Sequence, residues 1–450
     1  MILYDFPKDF LFGTASSCYQ VEGSVNADGK TDNIWDMASR DYPERFKAKT
    51  EPTSGFYKHF REDIAEMKAQ GLKTFRFSFS WTRLLPAIDG KVNRKGVEFY
   101  NEMIDLLLEN GIEPFADIFH WDLPMYLFEI GGWTNREIIT HFEHFAKVCF
   151  ENFGDRVKMW STMNEPSVFC FAPYIQGRAW PPFAPNGTDL KTGLLCAHHA
   201  LICHFRAIKL YREMKLDGKI GSVIAVVPVY PKDPSGNDKL AALYQMERGT
   251  CWWLDPMFKG HYPKRFLEDC PGYRDKMPEN YAQEIADEFV PMDFAGLNYY
   301  FPGCAAYDEN EPAKSKNVEN YYVQEGQRFQ FYPAGLYDVM MFVKDRYDCP
   351  EVYIAENGLG VLDDGVKENQ INDDDRIVYL REHLRMVSRS IKAGCNIKGY
   401  YYWSNFDSFE NAAGYTYRFG LNYVDFETGE RTRKKSWYYY QNVIKNNAAD

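Results

Sequence analysis

Hydrophobic and polar positions follow two periods along this chain. Short apolar or alternating runs indicate strands, whereas longer stretches with apolar residues three or four positions apart indicate amphipathic helices. Eight runs predict strands at Phe10–Ala15, Thr74–Phe79, Glu113–Phe119, Lys158–Met163, Gly221–Pro228, Phe294–Tyr299, Glu351–Ala355 and Lys398–Trp403. Helical patterns fall between them, among them Phe60–Gln70, Val97–Glu109, Ile138–Phe150 and Asp374–Ala393.

The alternation of strands and helices predicts an α/β fold with a parallel sheet. Eight strand–helix units fit a single (β/α)8 TIM barrel spanning residues 1–450. A length of 450 residues also suits two or three domains, but α/β barrels with insertions reach this size as one. We expect the long segments after strands four, six and eight to be loops that build a deep cleft at the carboxyl face.

Composition and charge narrow the classes of partner. Hydrophobic residues make up 45% of the chain and aromatic residues 17%, an excess that a carbohydrate cleft or a large core would use. A net charge of −12 without a basic patch argues against nucleic acid and anionic membranes. We find neither a run of about 18 apolar residues nor a signal peptide, so a cytoplasmic protein is expected.

Cysteine and histidine spacing gives no indication of a metal or cofactor. The ten cysteines are scattered singly, which favours a reduced chain over a disulfide framework. His141 and His144 lie within a predicted helix, and no zinc pattern accompanies them. We therefore expect no metal and no cofactor.

Two predicted strands end in a glutamate. The first runs into Asn164-Glu165-Pro166, and the second, about 190 residues later, into Glu356-Asn357-Gly358. Proline disfavours the α region for the residue before it, so Glu165 is expected to leave its strand extended rather than enter a helix. A strand-end glutamate is often only a solvated surface residue. A parallel barrel would nevertheless bring the two carboxylates together, as acid/base and nucleophilic chemistry on a glycosidic bond requires.

These motifs, in this order, resemble the family 1 glycoside hydrolases. The resemblance extends from Phe6–Ala15 to Tyr423–Phe426. It implies a retaining, exo-acting β-glycosidase, with a β-glucosidase expected, whose substrate is a small glycoside or short oligosaccharide. In this family's mechanism Glu356 matches the nucleophile and Glu165 the acid/base. Retention requires the two carboxyl groups to lie roughly 5–5.5 Å apart.

The resemblance also implies a set of supporting side chains. Arg76 and Tyr300 match residues that contact the nucleophile, and an inward-facing Arg76 needs an acidic partner because an unpaired buried charge is costly. His120 matches a histidine that binds a sugar hydroxyl rather than one that transfers protons. The full set matched to substrate binding is Gln20, His120, Trp121, Asn164, Asn298, Tyr300, Trp403, Glu410 and Asn411.

The last of these motifs, Trp403 to Asn411, bears on the sugar. Trp403 matches the sugar platform, and Glu410 matches the glutamate that accepts hydrogen bonds from the outer hydroxyls of an unphosphorylated sugar. Phospho-glycosidases of the family have a serine there, followed by a lysine and a tyrosine, where this chain has Tyr417 and Phe419. A carboxylate would repel a phosphate and no lysine offsets it, so an unphosphorylated sugar is expected.

One residue departs from the family pattern. Asn411 stands where the family usually has tryptophan, so a ring face and an N–H donor are lost. The choice between glucose and galactose therefore stays open, as do the aglycone and the oligomeric state, for which a homo-oligomer is one alternative. The segment Gln176–Pro182 is expected to shape the aglycone side. A non-catalytic carbohydrate- or protein-binding relative on the same barrel is the competing function.

Overall fold

The computed structural model describes residues 4–176, 188–319, 326–362 and 371–450. Eight parallel strands form a closed barrel in which each strand pairs with its neighbours in sequence. These are β1 (Leu11–Ala15), β2 (Thr74–Ser78), β3 (Glu113–Phe119), β4 (Met159–Asn164), β5 (Lys219–Ala225), β6 (Ala295–Asn298), β7 (Val352–Asn357) and β8 (Ile397–Trp403). The predicted TIM barrel is therefore confirmed, and every predicted strand overlaps an observed one.

The barrel closes through β8 and β1, where Gly399 pairs with Leu11 and Trp403 with Ala15. All eight interfaces are parallel. The carboxyl ends of the strands consequently meet at one face, which is where side chains from distant parts of the chain come together.

Helices connect the strands and cover the barrel. The α-helices are Cys18–Val21, Ile34–Asp41, Phe56–Gln70, Trp81–Leu84, Arg94–Glu109, Met125–Glu129, Ile138–Phe153, Pro166–Tyr174, Leu190–Glu213, Gly236–Met246, Trp252–Lys259, Lys264–Asp269, Pro271–Arg274, Tyr281–Glu288, Pro333–Arg346, Asp374–Lys392 and Lys435–Asn446. A π-helical turn covers Glu247–Cys251, and 3-10 turns cover Ala27–Gly29, Gly132–Thr134 and Asn411–Ala413.

The four predicted helices are confirmed, with boundaries that differ by a few residues. Phe56–Gln70, for example, begins four residues before the predicted start at Phe60. It ends at Gly71, whose φ of 87° lies in the left-handed region that glycine adopts without strain. This C-cap turns the chain directly into β2.

Aromatic side chains fill the interior of the barrel. The ring of Phe115 lies edge-on to Phe294 at 5.6 Å between centroids and to Tyr401 at 5.4 Å. Tyr353 contacts Phe294 in the same way at 5.2 Å. Edge-to-face packing of this kind is favourable for aromatic quadrupoles. Much of the aromatic excess is thus used as core below the cleft.

The segments after β4, β5 and β6 contain more regular structure than predicted. A helix, Pro166–Tyr174, follows β4 where a loop was expected. Short strands at Val229–Pro231, Gly303–Tyr307 and Ser315–Asn317 form a separate three-stranded sheet after β5 and β6. Most of the segment Gln176–Pro182, assigned to the aglycone side, lies outside the described residues. No helix in the described ranges is long and apolar enough to cross a membrane.

Candidate active site

A cleft of about 420 Å³ opens at the carboxyl face of the barrel. Its wall includes Glu165 after β4, Glu356 in β7 and Trp403 in β8, together with Glu410 beyond β8. Each of these four side chains is at most 7% exposed. The structure therefore brings the two strand-end glutamates into one cavity, as the strand pattern predicts.

Glu165 adopts a conformation that the sequence did not predict. Its φ and ψ of 45° and 63° are left-handed, and it is the N-cap of the helix that begins at Pro166. The prediction of an extended Glu165 was therefore wrong. Proline disfavours the right-handed region for the preceding residue but does not determine which other region it adopts, and a proline at the first helical position suits helix initiation. The sharp turn directs the carboxyl group into the cleft.

Glu356 accepts hydrogen bonds on both carboxylate oxygens. Arg76 Nη1 donates to Oε1 at 2.7 Å, and the Tyr300 hydroxyl donates to Oε2 at 2.8 Å. The pairing of β7 with β6 is irregular between Ile354 and Glu356, just where the strand meets the cleft. Such irregularities re-aim side chains. Two donors, one of them cationic, hold this side chain in a fixed orientation.

Arg76 is fully buried and has the acidic partners that its burial requires. Besides Glu356, its guanidinium contacts Asp117 Oδ2 at 2.5 Å and donates to Asn164 Oδ1 at 2.7 Å. Asp117 in β3 is a site residue that the sequence analysis did not single out. Its signal was available, because Asp117 is a charged residue in the apolar half of β3, the strand that pairs with the one carrying the predicted inward arginine.

Two asparagines connect the carboxyl groups. Asn298 Nδ2 donates to Glu165 Oε1 at 2.9 Å and to Asn164 Oδ1 at 3.0 Å. Since Asn164 Oδ1 also accepts from Arg76, which holds Glu356, a continuous hydrogen-bond path joins Glu165 to Glu356. The predicted role of Asn298 as a supporting residue of the site fits this geometry.

The two carboxyl groups have different electrostatic surroundings. Burial, and secondly the charge of Glu356, raise the pKa of Glu165 to about 8. No ion pair involves Glu165 among the described residues, whereas Glu356 contacts the Arg76 guanidinium at 2.7 Å. A neutral acid beside a paired carboxylate is an arrangement that can donate a proton and attack an electrophilic carbon in the same cavity.

The orientation of Asn164 settles which nitrogen of His120 carries the proton. Asn164 Oδ1 is occupied by Arg76 and Asn298, so its Nδ2 faces His120 Nε2 at 2.9 Å and Nε2 must be the acceptor. Burial lowers the pKa of His120, which keeps the ring neutral. In this arrangement the imidazole carries its proton on Nδ1, 3.7 Å from Asp117 Oδ2. The predicted donation from His120 to a sugar hydroxyl would require the proton on Nε2 and stays a prediction.

Gln20, Trp121 and Trp403 also lie in the cleft wall, as predicted. The Gln20 amide accepts from Ser17 Oγ and donates to the carbonyl of Phe409 at 2.8 Å. Trp121 donates from its indole nitrogen to the carbonyl of Asn164 at 2.9 Å. These bonds fix the side chains before any ligand arrives. Their roles in substrate binding remain predictions.

Glu410 has a cationic partner that the sequence analysis missed. Arg328 Nη1 donates to Glu410 Oε2 at 2.7 Å, and the guanidinium lies 5.7 Å from the centre of the Phe419 ring. The sequence analysis noted only that no lysine offsets the Glu410 carboxylate, and it did not consider an arginine from elsewhere in the chain. Burial raises the pKa of Glu410 to about 7, and Arg328 opposes that rise. No motif marked Arg328, which lies 82 residues from its partner.

Asn411 lines the cleft beside Glu410 and is 5% exposed. Its Oδ1 accepts a hydrogen bond from the Tyr19 hydroxyl at 2.7 Å, and its φ of 58° is left-handed, a conformation that asparagine tolerates. Asn411 therefore lies in the cleft wall with Glu410, and its amide oxygen is already occupied.

Another part of the cleft wall is largely apolar. Phe171, Ile175, Val227 and Phe301 line it, and Arg248 on the π-helical turn is a second cation in its wall. These residues come from irregular or helical segments that carried no recognisable motif. In the described ranges, no group of three or more His, Cys, Asp and Glu side chains is arranged to hold a metal ion.

Comparison with known proteins identifies the architecture. The family model described as "Glycosyl hydrolase family 1" matches residues 3–449. "Beta-glucosidase A" of Thermotoga maritima is 40% identical over 448 residues, 99% of each chain. "6-phospho-beta-glucosidase GmuD" of Bacillus subtilis is 38% identical over 460 residues, 98% of each chain.

A solved structure agrees with the barrel over its full length. "Beta-glucosidase from Thermotoga maritima in complex with deoxynojirimycin" superposes with a TM-score of 0.93 at 39% identity, covering 99% of this chain and 100% of that one. The similarity therefore extends over the whole barrel.

Proposed function

The chain belongs to glycosyl hydrolase family 1, and from that membership we propose that it is a retaining, exo-acting β-glucosidase whose catalytic domain spans residues 1–450. It would remove one unphosphorylated glucosyl unit from the non-reducing end of a small glycoside or short oligosaccharide. As a glycoside hydrolase the chain is an enzyme, so the alternative of a purely binding relative is not retained.

In the proposed reaction the carboxylate of Glu356 attacks the anomeric carbon. The glycosidic C–O bond breaks, and the leaving oxygen takes the proton of Glu165, which leaves a glycosyl ester on Glu356. Water then attacks the anomeric carbon from the face opposite the ester and gives a proton to Glu165. The bond between the anomeric carbon and the Glu356 oxygen breaks, and the sugar leaves with its original configuration. Each carboxyl group ends the cycle as it began.

One observation carries this proposal. The cavity holds one carboxyl group with an amide donor and a pKa raised to about 8, and another held by a guanidinium and a phenol. The first is suited to acid catalysis and the second to nucleophilic attack. Because the Glu356 charge contributes to the raised pKa of Glu165, forming the ester lowers that pKa and lets Glu165 act as the base for water.

The unphosphorylated sugar is supported by Glu410. Its carboxylate lies in the cleft wall, and Arg328 is already paired with it, so the pair carries little net charge for a phosphate to bind. The second candidate is a 6-phospho-β-glucosidase. Two observations favour it: Arg328 is a cation at the sugar end of the cleft, and a relative at 38% identity has that name.

A panel of 4-nitrophenyl β-glycosides tests both candidates. The glucoside, the galactoside and glucoside 6-phosphate are compared by kcat/KM, and proton NMR at early times identifies the anomer released from the preferred one. We expect the glucoside to be turned over faster than its 6-phosphate, with the β-anomer appearing first. Preference for the 6-phosphate would replace the first candidate by the second, and release of the α-anomer would exclude the retaining mechanism.

A further inference from the structure

Arg328 lies in the cleft wall beside Glu410, and its position indicates a role in addition to pairing with that carboxyl group. Its guanidinium lies 5.4 Å from the Phe329 ring centre and 5.7 Å from that of Phe419, so two aromatic rings limit its movement. The side chain is 20% exposed, in contrast to 5% for Glu410. Among the described residues, Glu410 is the acceptor that the guanidinium contacts, and its remaining N–H groups are free to bind a ligand.

Each sugar hydroxyl can both donate and accept hydrogen bonds. A site that uses both capacities must offer an acceptor and a donor. In its ionised form, Glu410 can only accept. Nearby polar groups are partly committed, since the Gln20 amide nitrogen donates to Phe409 O and Asn411 Oδ1 accepts from Tyr19. A guanidinium beside the carboxylate supplies strong, charged donors at the same place. The pair can therefore accept from a hydroxyl and donate to it, or to its neighbour, at once.

We propose that Arg328 is a sugar-binding, specificity-determining residue that acts with Glu410 as a joint donor–acceptor site for the 4- and 6-hydroxyls of the glucosyl unit. This inference rests on the proposed function. It assigns recognition of a neutral sugar to an ion pair, and it gives the cleft a donor that does not depend on Asn411.

The test compares Arg328→Gln with the wild-type enzyme on three aryl β-glycosides: the glucoside and its 4-deoxy and 6-deoxy analogues. Loss of charged hydrogen bonds should lower kcat/KM for the glucoside by about tenfold or more. The same substitution should lower kcat/KM by a clearly smaller factor for at least one deoxy analogue, because that substrate already lacks the hydroxyl that Arg328 binds. We expect the effect mainly in KM, with kcat changed less.

A matched control is available on the outer surface. Arg61 pairs with Glu102 across two barrel helices, and both side chains are more than half exposed. Arg61→Gln removes an arginine from the same type of ion pair without touching the cleft, so all three substrates should keep wild-type kinetics. Arg328→Lys keeps the positive charge but loses the planar donor fork, and it should recover only part of the loss. Lysine also provides a folded variant if the glutamine variant is unstable.

The outcomes distinguish a failure of the role proposed for Arg328 from a failure of the proposed β-glucosidase function. An equal penalty on all three substrates, or no penalty, overturns the role of Arg328 while the wild-type activity still supports the β-glucosidase. A wild-type enzyme that prefers the 6-phosphate, and loses that preference in Arg328→Gln, makes Arg328 a phosphate ligand and overturns the inference. A wild-type enzyme inactive on every β-glucoside overturns the proposed function and this inference with it.

Discussion

The raised pKa of Glu165 should set the alkaline limit of activity. Burial and the Glu356 charge move this pKa from an ordinary value of 4.5 to about 8. At pH 7 about nine-tenths of the enzyme therefore carries a protonated Glu165, and a group with the ordinary pKa would be almost fully ionised. Since proton donation needs the protonated form, kcat/KM should fall about tenfold per pH unit above pH 8.

The assay uses a substrate with a poor leaving group. For an alkyl β-glucoside, Glu165→Gln should lower kcat/KM by about 10²–10⁴-fold and abolish the alkaline limb, because glutamine cannot titrate. For a nitrophenyl glucoside, whose leaving group departs without protonation, single-turnover glycosylation should be much less affected. An alkaline limb that persists in the variant, or equal losses on both substrates, would remove Glu165 from the acid role.

Trapping the glycosyl ester separates the two causes of the shift. A 2-deoxy-2-fluoro glucoside that accumulates the ester removes the charge of Glu356, and carbon NMR of the labelled enzyme reports the pKa of Glu165. We expect the pKa to fall below 8 and to stay above 4.5, because burial is the larger cause and persists. A pKa that does not fall would contradict the proposed exchange of roles between acid and base.

Four further substitutions have defined outcomes. Glu356→Ala should abolish turnover, and added azide should restore part of it as the inverted glycosyl azide seen by NMR; near-normal activity would exclude Glu356 as nucleophile. Glu410→Ser should weaken glucoside turnover at least tenfold and, by freeing Arg328, introduce inhibition by glucose 6-phosphate, measured by steady-state kinetics. Asn411→Trp removes the acceptor of Tyr19 and should change the glucose-to-galactose ratio in the aryl glycoside panel, and an unchanged ratio would place position 411 away from the sugar. Phe115→Ala should lower the free energy of unfolding by about 3–5 kcal/mol in urea titrations, whereas a cost below 1 kcal/mol would contradict the packed barrel interior.

The barrel was predictable because its strands are covered on both sides. Strands in such a sheet consist of short apolar runs. Each run is long enough to be distinguished from the helical patterns that lie between the strands. The three-residue strands at Val229–Pro231 and Ser315–Asn317 are too short to show the alternation of a strand or the repeat of a helix. The local conformation at Glu165 also escaped prediction, since proline excludes one backbone region but does not select between the others.

The candidate site was predictable where it lies at strand ends. Glu356, Asn298 and Trp403 belong to barrel strands, and a closed parallel barrel brings the carboxyl ends of its strands together. Arg328 belongs to a segment without a period, and its pairing with Glu410 depends on how two long connections pack. Contacts between two long connections do not produce a recognisable spacing of residues in the sequence.

The two cleft arginines that contact carboxylates distinguish the roles of the acids. Within the described part of the chain, Glu356 contacts Arg76 and Glu410 contacts Arg328, whereas the partner of Glu165 is the neutral amide of Asn298. A guanidinium favours the charged form of a carboxyl group, and burial beside another acid favours the neutral form. The groups proposed to attack and to bind hydroxyls thus each have a guanidinium at hydrogen-bond distance, whereas the group proposed to donate a proton has a neutral amide there. Different short contacts accordingly accompany the three tasks proposed for these chemically identical side chains.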